Sequence, residues 1–197
     1  MTPQTFIFIG RSGCGKGTQA QLMQDYLKKY DSERDILYIQ SGAEFREFIK
    51  GNSVTQKLSK VMYDKGEFQP EFLAIYMWTN ILVNKYTAGE HLVMDGMPRK
   101  YHEAGVLDSL WKFYSMRPPH VIFIDISKDE SKKRLMARKR LDDTEAEIEE
   151  RLAWFESEVI PTLDFFKNNP DYDYVTVDGM QPAEEVHKEI LAKTKFG

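Results

Sequence analysis

At 197 residues with a formal charge of −4, the chain is long enough for one α/β domain with a sizeable core and is not basic enough for a general grip on nucleic acid or anionic membrane. Its one cysteine excludes an intramolecular disulfide and a cysteine-rich zinc site, and no apolar run approaches the roughly 18 residues of a membrane span. Met1-Thr2-Pro3-Gln4 runs straight into an apolar segment with no basic stretch resembling a signal peptide, so a cytoplasmic protein is expected. No repeat, low-complexity tract or Pro/Ser-rich linker divides it, so residues 1–197 are expected to form a single domain, and a monomer is expected.

The first predicted element is a strand over Thr5 to Ile9, followed by Gly10-Arg11-Ser12-Gly13-Cys14-Gly15-Lys16-Gly17-Thr18 and then by helical spacing through Met23, Tyr26, Leu27 and Tyr30. Strand, glycine-rich turn and helix form the context of a phosphate-binding loop. Glycines let successive backbone N–H groups turn toward one anion, the helix N-terminus adds partial positive charge, and Lys16 reaches the outer phosphates. The usual motif has Ser or Thr directly after the lysine; here Gly17 intervenes and the hydroxyl belongs to Thr18. Cys14 reads as a small loop residue whose backbone N–H matters, with a redox switch as the alternative.

Further strands are predicted over Ile36 to Ile39, His91 to Met94, Val121 to Ile126 and Tyr172 to Val177, separated by helical patterns. Short apolar strands alternating with helices predict a five-stranded parallel sheet covered on both faces, with ligands at the strand C-terminal ends. Those ends carry Ser41-Gly42-Ala43-Glu44-Phe45-Arg46 and Asp95-Gly96-Met97-Pro98-Arg99. An acidic residue closing a strand beside a phosphate loop suits magnesium, usually through water, and Arg99 can fork onto an anionic substrate. A β-turn with an incidental arginine is the alternative.

Toward the C-terminus, Lys132, Lys133, Arg134, Arg138, Lys139 and Arg140 form a basic stretch that also fits a solvated helix face. Thr144-Glu145-Ala146-Glu147 is a capping-box pattern, with Ile148, Leu152, Phe155 and Val159 following at helical spacing. Arg151 lies beside that apolar face, where a pair with Glu147 is the alternative to a site role. Pro161 is expected to kink or end the helix. After the last strand, Asp178-Gly179-Met180-Gln181-Pro182 forms a turn before a helix through Val186 and Ile190. Trp78, Trp111 and Trp154 are assigned to packing, and the four scattered histidines receive no role.

In order along nearly the whole chain, these motifs resemble the adenylate kinase family of nucleoside monophosphate kinases. The loop with its glycine between Lys16 and Thr18 and the Asp95-Gly96-Met97-Pro98-Arg99 segment, with methionine in place of an aromatic residue, are similar to that family's signatures. So are Ser41-Gly42 with Arg46, and Gly66-Glu67-Phe68-Gln69-Pro70. The resemblance implies a P-loop NTPase fold with a small helical monophosphate-binding insertion over 41–70 and a minimal lid over 134–143. It implies ATP bound by Gly13, Cys14, Gly15, Lys16, Gly17, Thr18, Arg134 and the Met180 backbone. The acceptor falls to Ser41, Gly42, Arg46, Phe68, Gln69, Gly96, Arg99 and Glu103, transfer to Lys16, Arg99, Arg138, Arg140 and Arg151, and Mg2+ to Asp95 through water. The cage of cations also makes sense without the family, because a loose phosphoryl-transfer transition state needs positioning and positive charge more than a protein base.

Two departures bear on function. Only Lys139 separates Arg138 from Arg140, so a site with so small a lid must exclude water another way or leak, and a small ATP hydrolysis without acceptor is expected. Glu103 stands four residues after Arg99, where adenylate kinases usually carry an adenine-reading glutamine. An ionised carboxylate only accepts and suits guanine's paired N–H donors; Glu103 turned to solvent or to a lysine is the alternative. Ser41 retains a hydroxyl for a base contact. The expected reaction is ATP + AMP = 2 ADP, with GMP or a pyrimidine monophosphate as alternative acceptor. An ATP-binding regulator or hydrolysing P-loop protein is the alternative from another class, weighed against by Arg46 and Arg99, since a sensor needs no second anion cradle.

Overall fold

The computed structural model describes residues 2–117, 119–138 and 144–195. Strands β1 (Thr5–Gly10), β2 (Ile36–Gln40), β3 (His91–Asp95), β4 (His120–Asp125) and β5 (Asp173–Asp178) form one parallel sheet in the order β2-β3-β1-β4-β5. The period of two along β1 divides the core. Phe6 and Phe8 face one layer with Met23, Leu27, Val186 and Ile190, while Ile7 and Ile9 face the other with Trp78, Leu107, Trp111 and Phe166. Helices α1 (Lys16–Tyr30) and α9 (Ala183–Thr194) therefore cover one face. Helices α4 (Glu71–Lys85), α5 (Tyr101–Tyr114) and α8 (Ile160–Lys167) cover the other. Each fully buried aromatic on β1 contributes roughly 1.5–3 kcal/mol, which makes the central strand a rigid mount for the loop that follows it.

The order of the strands opens the site. From β1 the chain passes through α1 to β2 on one side, whereas from β3 it passes through α5 to β4 on the other. Loops leaving neighbouring strands in opposite directions leave a crevice between the C-terminal ends of β1 and β3, where Gly10 and Asp95 lie. The opposite edge is closed by polar pairing: the Gln4 backbone N–H donates to His91 Nδ1, and the buried ring meets Asp31 at 3.2 Å through Nε2. Burial holds His91 below the usual imidazole range against the pull of Asp31, so this histidine serves the frame as a neutral ring.

Helices α2 (Ser41–Phe48) and α3 (Val54–Asp64), the latter begun by a Ser53/Gln56 capping box, extend from the end of β2. On the far side, α6 (Lys128–Arg138) lies against α7 (Glu145–Trp154), whose start is the expected capping box of Thr144 and Glu147. Lys132 bridges Glu145 and Glu149 at 2.9 and 2.8 Å, so this part of the basic stretch braces two helices and is not a loose solvated face. Pro161 does not end the helix that begins at Glu145. A wide π-turn over Phe155–Val159 joins α7 to α8, and Pro161 enters α8 in its first turn, where a missing backbone N–H is tolerated.

Candidate active site

A cleft of about 940 Å³ lies above the sheet's C-terminal edge. The phosphate loop, α2, the segment after α3, the Asp95–Arg99 turn, α6 and α7 all line it. Of the residues expected from the sequence, Gly13, Gly15, Lys16, Gly17, Thr18, Ser41, Gly42, Arg46, Phe68, Gln69, Asp95, Gly96, Arg99, Glu103, Arg134, Arg138 and Arg151 line this one cavity. Arg140 lies outside the described residues, as does most of the stretch after Arg138.

The loop turns because Gly13 and Gly15 adopt φ of +82° and +101°, values that side chains resist. Gly10 is required for space as well: a Cβ there would stand 2.6 Å from both Cys14 Sγ and the Ile124 carbonyl. Lys16 Nζ donates to the Gly10 and Arg11 carbonyls at 2.7 and 2.9 Å, folding over the loop's own first residues. Arg11 is a loop anchor that the sequence reading passed over. Its guanidinium sits 4.2 Å from the Phe155 ring centroid and pairs with Glu156, tying the loop to the π-turn.

Two expected ATP ligands fall outside the cavity lining. Cys14 is buried with its N–H already donated to the Arg11 carbonyl at 3.1 Å, so this amide closes the loop's turn and is not aimed at an anion. Met180 is exposed, with its N–H donated to Asp178 Oδ1 at 2.9 Å in an Asx turn that satisfies the amide locally.

Asp95 closes β3 in register with Gln40, whose Nε2 donates to Oδ2 at 2.8 Å; Tyr38 Oη adds a second donor at 3.2 Å. Burial, then the adjacent Asp95 charge, pushes the Tyr38 phenol far above its ordinary value, so it remains a proton donor to the carboxylate. A Cβ on Gly17 would lie 3.5 Å from Asp95 Oδ2, which places the carboxylate directly behind the loop. Among the described residues no group of three or more His, Cys, Asp or Glu side chains clusters as a protein-built metal cage. One carboxylate behind the loop and the Thr18 hydroxyl at the start of α1 instead fit a hard cation that keeps several waters and takes its remaining ligands from phosphate.

The acceptor side is organised around Arg99. Its Nε donates to the Gly96 carbonyl at 2.9 Å, and Nη2 lies 3.4 Å from Ser41 Oγ. The like charges of Arg151 and Arg46 stand near it, set against Glu103 and Asp95. The side chain stays open to the cleft, and a guanidinium keeps its proton regardless. The crowding of three arginines is the electrostatic mark of an anion site. Ser41 donates its hydroxyl to the Gly96 carbonyl at 2.8 Å, which commits that proton to holding α2 on the turn and not to a base. The Gln69 amide is similarly engaged, accepting from Ser59 Oγ at 2.6 Å and donating to the Ser59 carbonyl at 3.0 Å. Met97, in place of an aromatic residue, is buried in the core.

Glu103 points neither to solvent nor to a lysine: it is 3% exposed, and its Oε2 accepts the Arg99 backbone N–H at 3.1 Å. Burial raises its pKa above the usual carboxylate range, opposed by the Arg99 N–H and charge. On the donor side, Arg134 Nε is held by Glu130 at 2.7 Å at the cleft wall, and Arg151 Nε donates to the Glu147 carbonyl at 3.1 Å. Trp154 is not a packing residue of the core. It is half-buried, lines the cleft, and stacks on Phe68 at 4.1 Å between ring centroids. The arrangement thus gathers the cations of the phosphate loop, the Asp95–Arg99 turn, α6 and α7 in one cleft, a charge distribution suited to phosphate-bearing ligands.

Comparison with known proteins agrees with this geometry. The family model described as adenylate kinase matches residues 8–170. The chain is 31% identical to adenylate kinase 1 of Nostoc sp. over 186 residues, covering 94% of this chain and 96% of that protein. Adenylate kinases of Leptospira biflexa and Corynebacterium urealyticum are 30% and 27% identical, again over 94% of this chain and 96% of theirs.

Proposed function

The chain belongs to the adenylate kinase family, and we propose from that membership and from its cleft that it transfers the γ-phosphoryl of ATP to AMP, yielding two ADP. The observation that carries the reading is the convergence on one cavity of Lys16 and the glycine loop with a second cation set, Arg46 and Arg99. A protein that only bound or hydrolysed ATP would have no use for the second set.

Each residue then has a task. The amides of the glycine loop and Lys16 hold the ATP phosphates. Arg46 and Arg99 hold the AMP phosphate in line with the transferring group, while Arg138, Arg140 and Arg151 spread positive charge around it. Arg134 stacks on the donor base. The AMP phosphate oxygen bonds to the γ-phosphorus as the β,γ-bridging P–O bond breaks, and the bond electrons leave with ADP; position and charge, not a protein base, lower the barrier. Thr18 and Asp95 are the residues that would hold Mg2+, Asp95 through water, and the cation would neutralise phosphate charge. The segment over 41–70 closes on the rest of a single, monomeric, cytoplasmic domain.

A second acceptor is favoured by one observation: Glu103 is buried at the cleft wall with one oxygen fixed by the Arg99 N–H, and in its ionised form it suits guanine. Product formation from Mg2+-ATP with AMP, GMP, CMP, UMP and dTMP in parallel, beside a control without acceptor, tests the reading. Fast ADP formation with AMP supports it, preference for GMP moves the acceptor, and turnover that ignores every acceptor overturns it.

A further inference from the structure

Only Lys139 separates Arg138 from Arg140, so the expected lid is minimal, yet phosphoryl transfer to a nucleotide must compete with bulk water. Adjoining the main cleft is a chamber of about 70 Å³ that reaches Ser12 and Lys16 on one side and Arg99 and Arg151 on the other. Its remaining walls include Phe68 and Trp154, half-buried rings that stack at 4.1 Å with 22° between their planes. Phe68 comes from the segment between α3 and α4, and Trp154 from the last turn of α7, one helical turn beyond Arg151. The stack therefore joins the acceptor-binding side of the molecule to the helix that carries a transfer-site arginine.

A second contact repeats the junction. Gly66 adopts φ +74°, and a Cβ there would stand 2.9 Å from Glu147 Cγ, so only glycine lets this segment approach α7 so closely. The Arg99 guanidinium and the Lys100 ammonium lie 5.9 and 5.6 Å from the Phe68 centroid, which holds the ring from the acceptor side as Trp154 holds it from the other.

We propose that Trp154 is a positioning residue: stacked on Phe68, its indole closes the chamber between Lys16, Arg99 and Arg151 against water and takes over the role of a larger lid. The proposal rests on the transfer reaction given above. With the clasp shut, the AMP phosphate oxygen is the nucleophile available to the γ-phosphorus. With it open, a water oxygen forms that bond instead, the same bridging P–O bond breaks, and ADP and inorganic phosphate leave with the water's proton passing to solvent.

The test is the partition of consumed ATP between transfer and phosphate release, measured on the full chain with Mg2+-ATP and AMP for wild type, Phe68→Ala, Trp154→Ala, their double variant and Trp154→Phe. Each alanine variant is expected to raise the ratio of phosphate release to transfer about tenfold, the order set by a lost aromatic pair. The double variant should be no worse than either single one, and Trp154→Phe should restore most of the effect. A ratio that stays at the wild-type value while kcat/KM falls would reduce the stack to scaffolding and overturn the proposal, as would multiplying effects in the double variant. Should Trp154→Ala fail to fold, Trp154→Gln carries the same arm. Fluorescence supplies a readout independent of turnover: Phe68→Ala should shift the Trp154 emission, taken in each background as the difference from the matching protein that also carries Trp154→Phe, to longer wavelength without nucleotide, and no shift overturns the clasp. Wild-type protein that phosphorylates no acceptor removes the functional reading and the clasp with it, whereas normal transfer with unchanged partition removes the clasp alone.

Discussion

Replacing Glu103 by glutamine tests whether this side chain reads the acceptor base, and the structure fixes what should happen. Oε2 is occupied by the Arg99 N–H at 3.1 Å, which leaves Oε1 for a ligand in the cleft. Adenine presents an acceptor at N1 beside its amino group, so an ionised Oε1 would face N1 acceptor to acceptor. Leaving such a buried polar group unmatched costs on the order of 1–3 kcal/mol, or roughly tenfold in kcat/KM at the lower part of that range. A protonated Glu103 donates to N1 and removes the mismatch. Burial raises the folded-state pKa, so the proton is retained at a pH where an unburied glutamate has lost it. The use of AMP should therefore decline about tenfold, through KM, as pH rises through that raised pKa, while the use of GMP grows. Glu103→Gln keeps an oxygen for the Arg99 N–H and presents an amide donor at every pH. Its KM for AMP should lose this dependence, and GMP should become a poor acceptor throughout. Initial-rate kinetics with both acceptors, in a pH series running upward from the ordinary carboxylate range, decide the matter, with the variant correcting for titration of the nucleotide phosphates. Superimposable pH profiles for wild type and variant would refute the reasoning. Stability supplies a second sign: above the ordinary carboxylate range the folded chain holds more protons than the unfolded one, so Glu103 makes stability fall as pH rises toward its raised pKa. The variant should lack that decline in urea titrations.

Arg99→Ala should lower kcat/KM for AMP about 100- to 1,000-fold while leaving the KM for ATP within about twofold, because the loop side of the cleft is untouched; equal losses for both nucleotides in steady-state kinetics would contradict the assignment. Cys14 is buried, so iodoacetamide should modify the native chain only at the rate of unfolding, as followed by mass spectrometry; rapid labelling of active protein would contradict the loop packing. Phe166→Ala should cost about 3–5 kcal/mol in urea denaturation, because the ring is fully buried in the layer beneath α8, and a loss under about 1 kcal/mol would contradict that packing.

The parts legible from the sequence are those written in short contiguous segments. The phosphate loop carries its own strand, glycines and helix start, and the parallel strands are apolar on both faces, so loop and sheet were readable within a residue or two. Asp95 and Arg99 lay in one turn of the chain. What the sequence did not disclose depends on distant segments meeting. Gln40 and Tyr38 became partners of Asp95 through strand register, Arg11 became an anchor through the π-turn, and Trp154 joined the site through a ring more than 80 residues away. The Cys14 amide was credited to a ligand when a carbonyl three residues back already accepts it. Met180 was placed by its backbone, of which the N–H is taken by an aspartate side chain two residues back. Pro161 was read by its general effect on helices, which the wide turn just before it absorbs.

That wide turn also sets the rotational phase of the helix. Each residue of an α-helix advances the chain by about 100° around its axis and about 1.5 Å along it, so one additional residue per turn offsets everything upstream against everything downstream. Leu163 and Phe166 after Phe155–Val159 are aimed at the sheet, while Arg151 and Trp154 before it are aimed at the cleft. One rod thereby serves two surfaces that an uninterrupted helix would not address together. Excising a single residue such as Ser157 would make the helix more regular by ordinary geometry and turn Arg151 about 100° out of alignment. The wide turn over Phe155–Val159 is thus what lets Arg151 face the cleft.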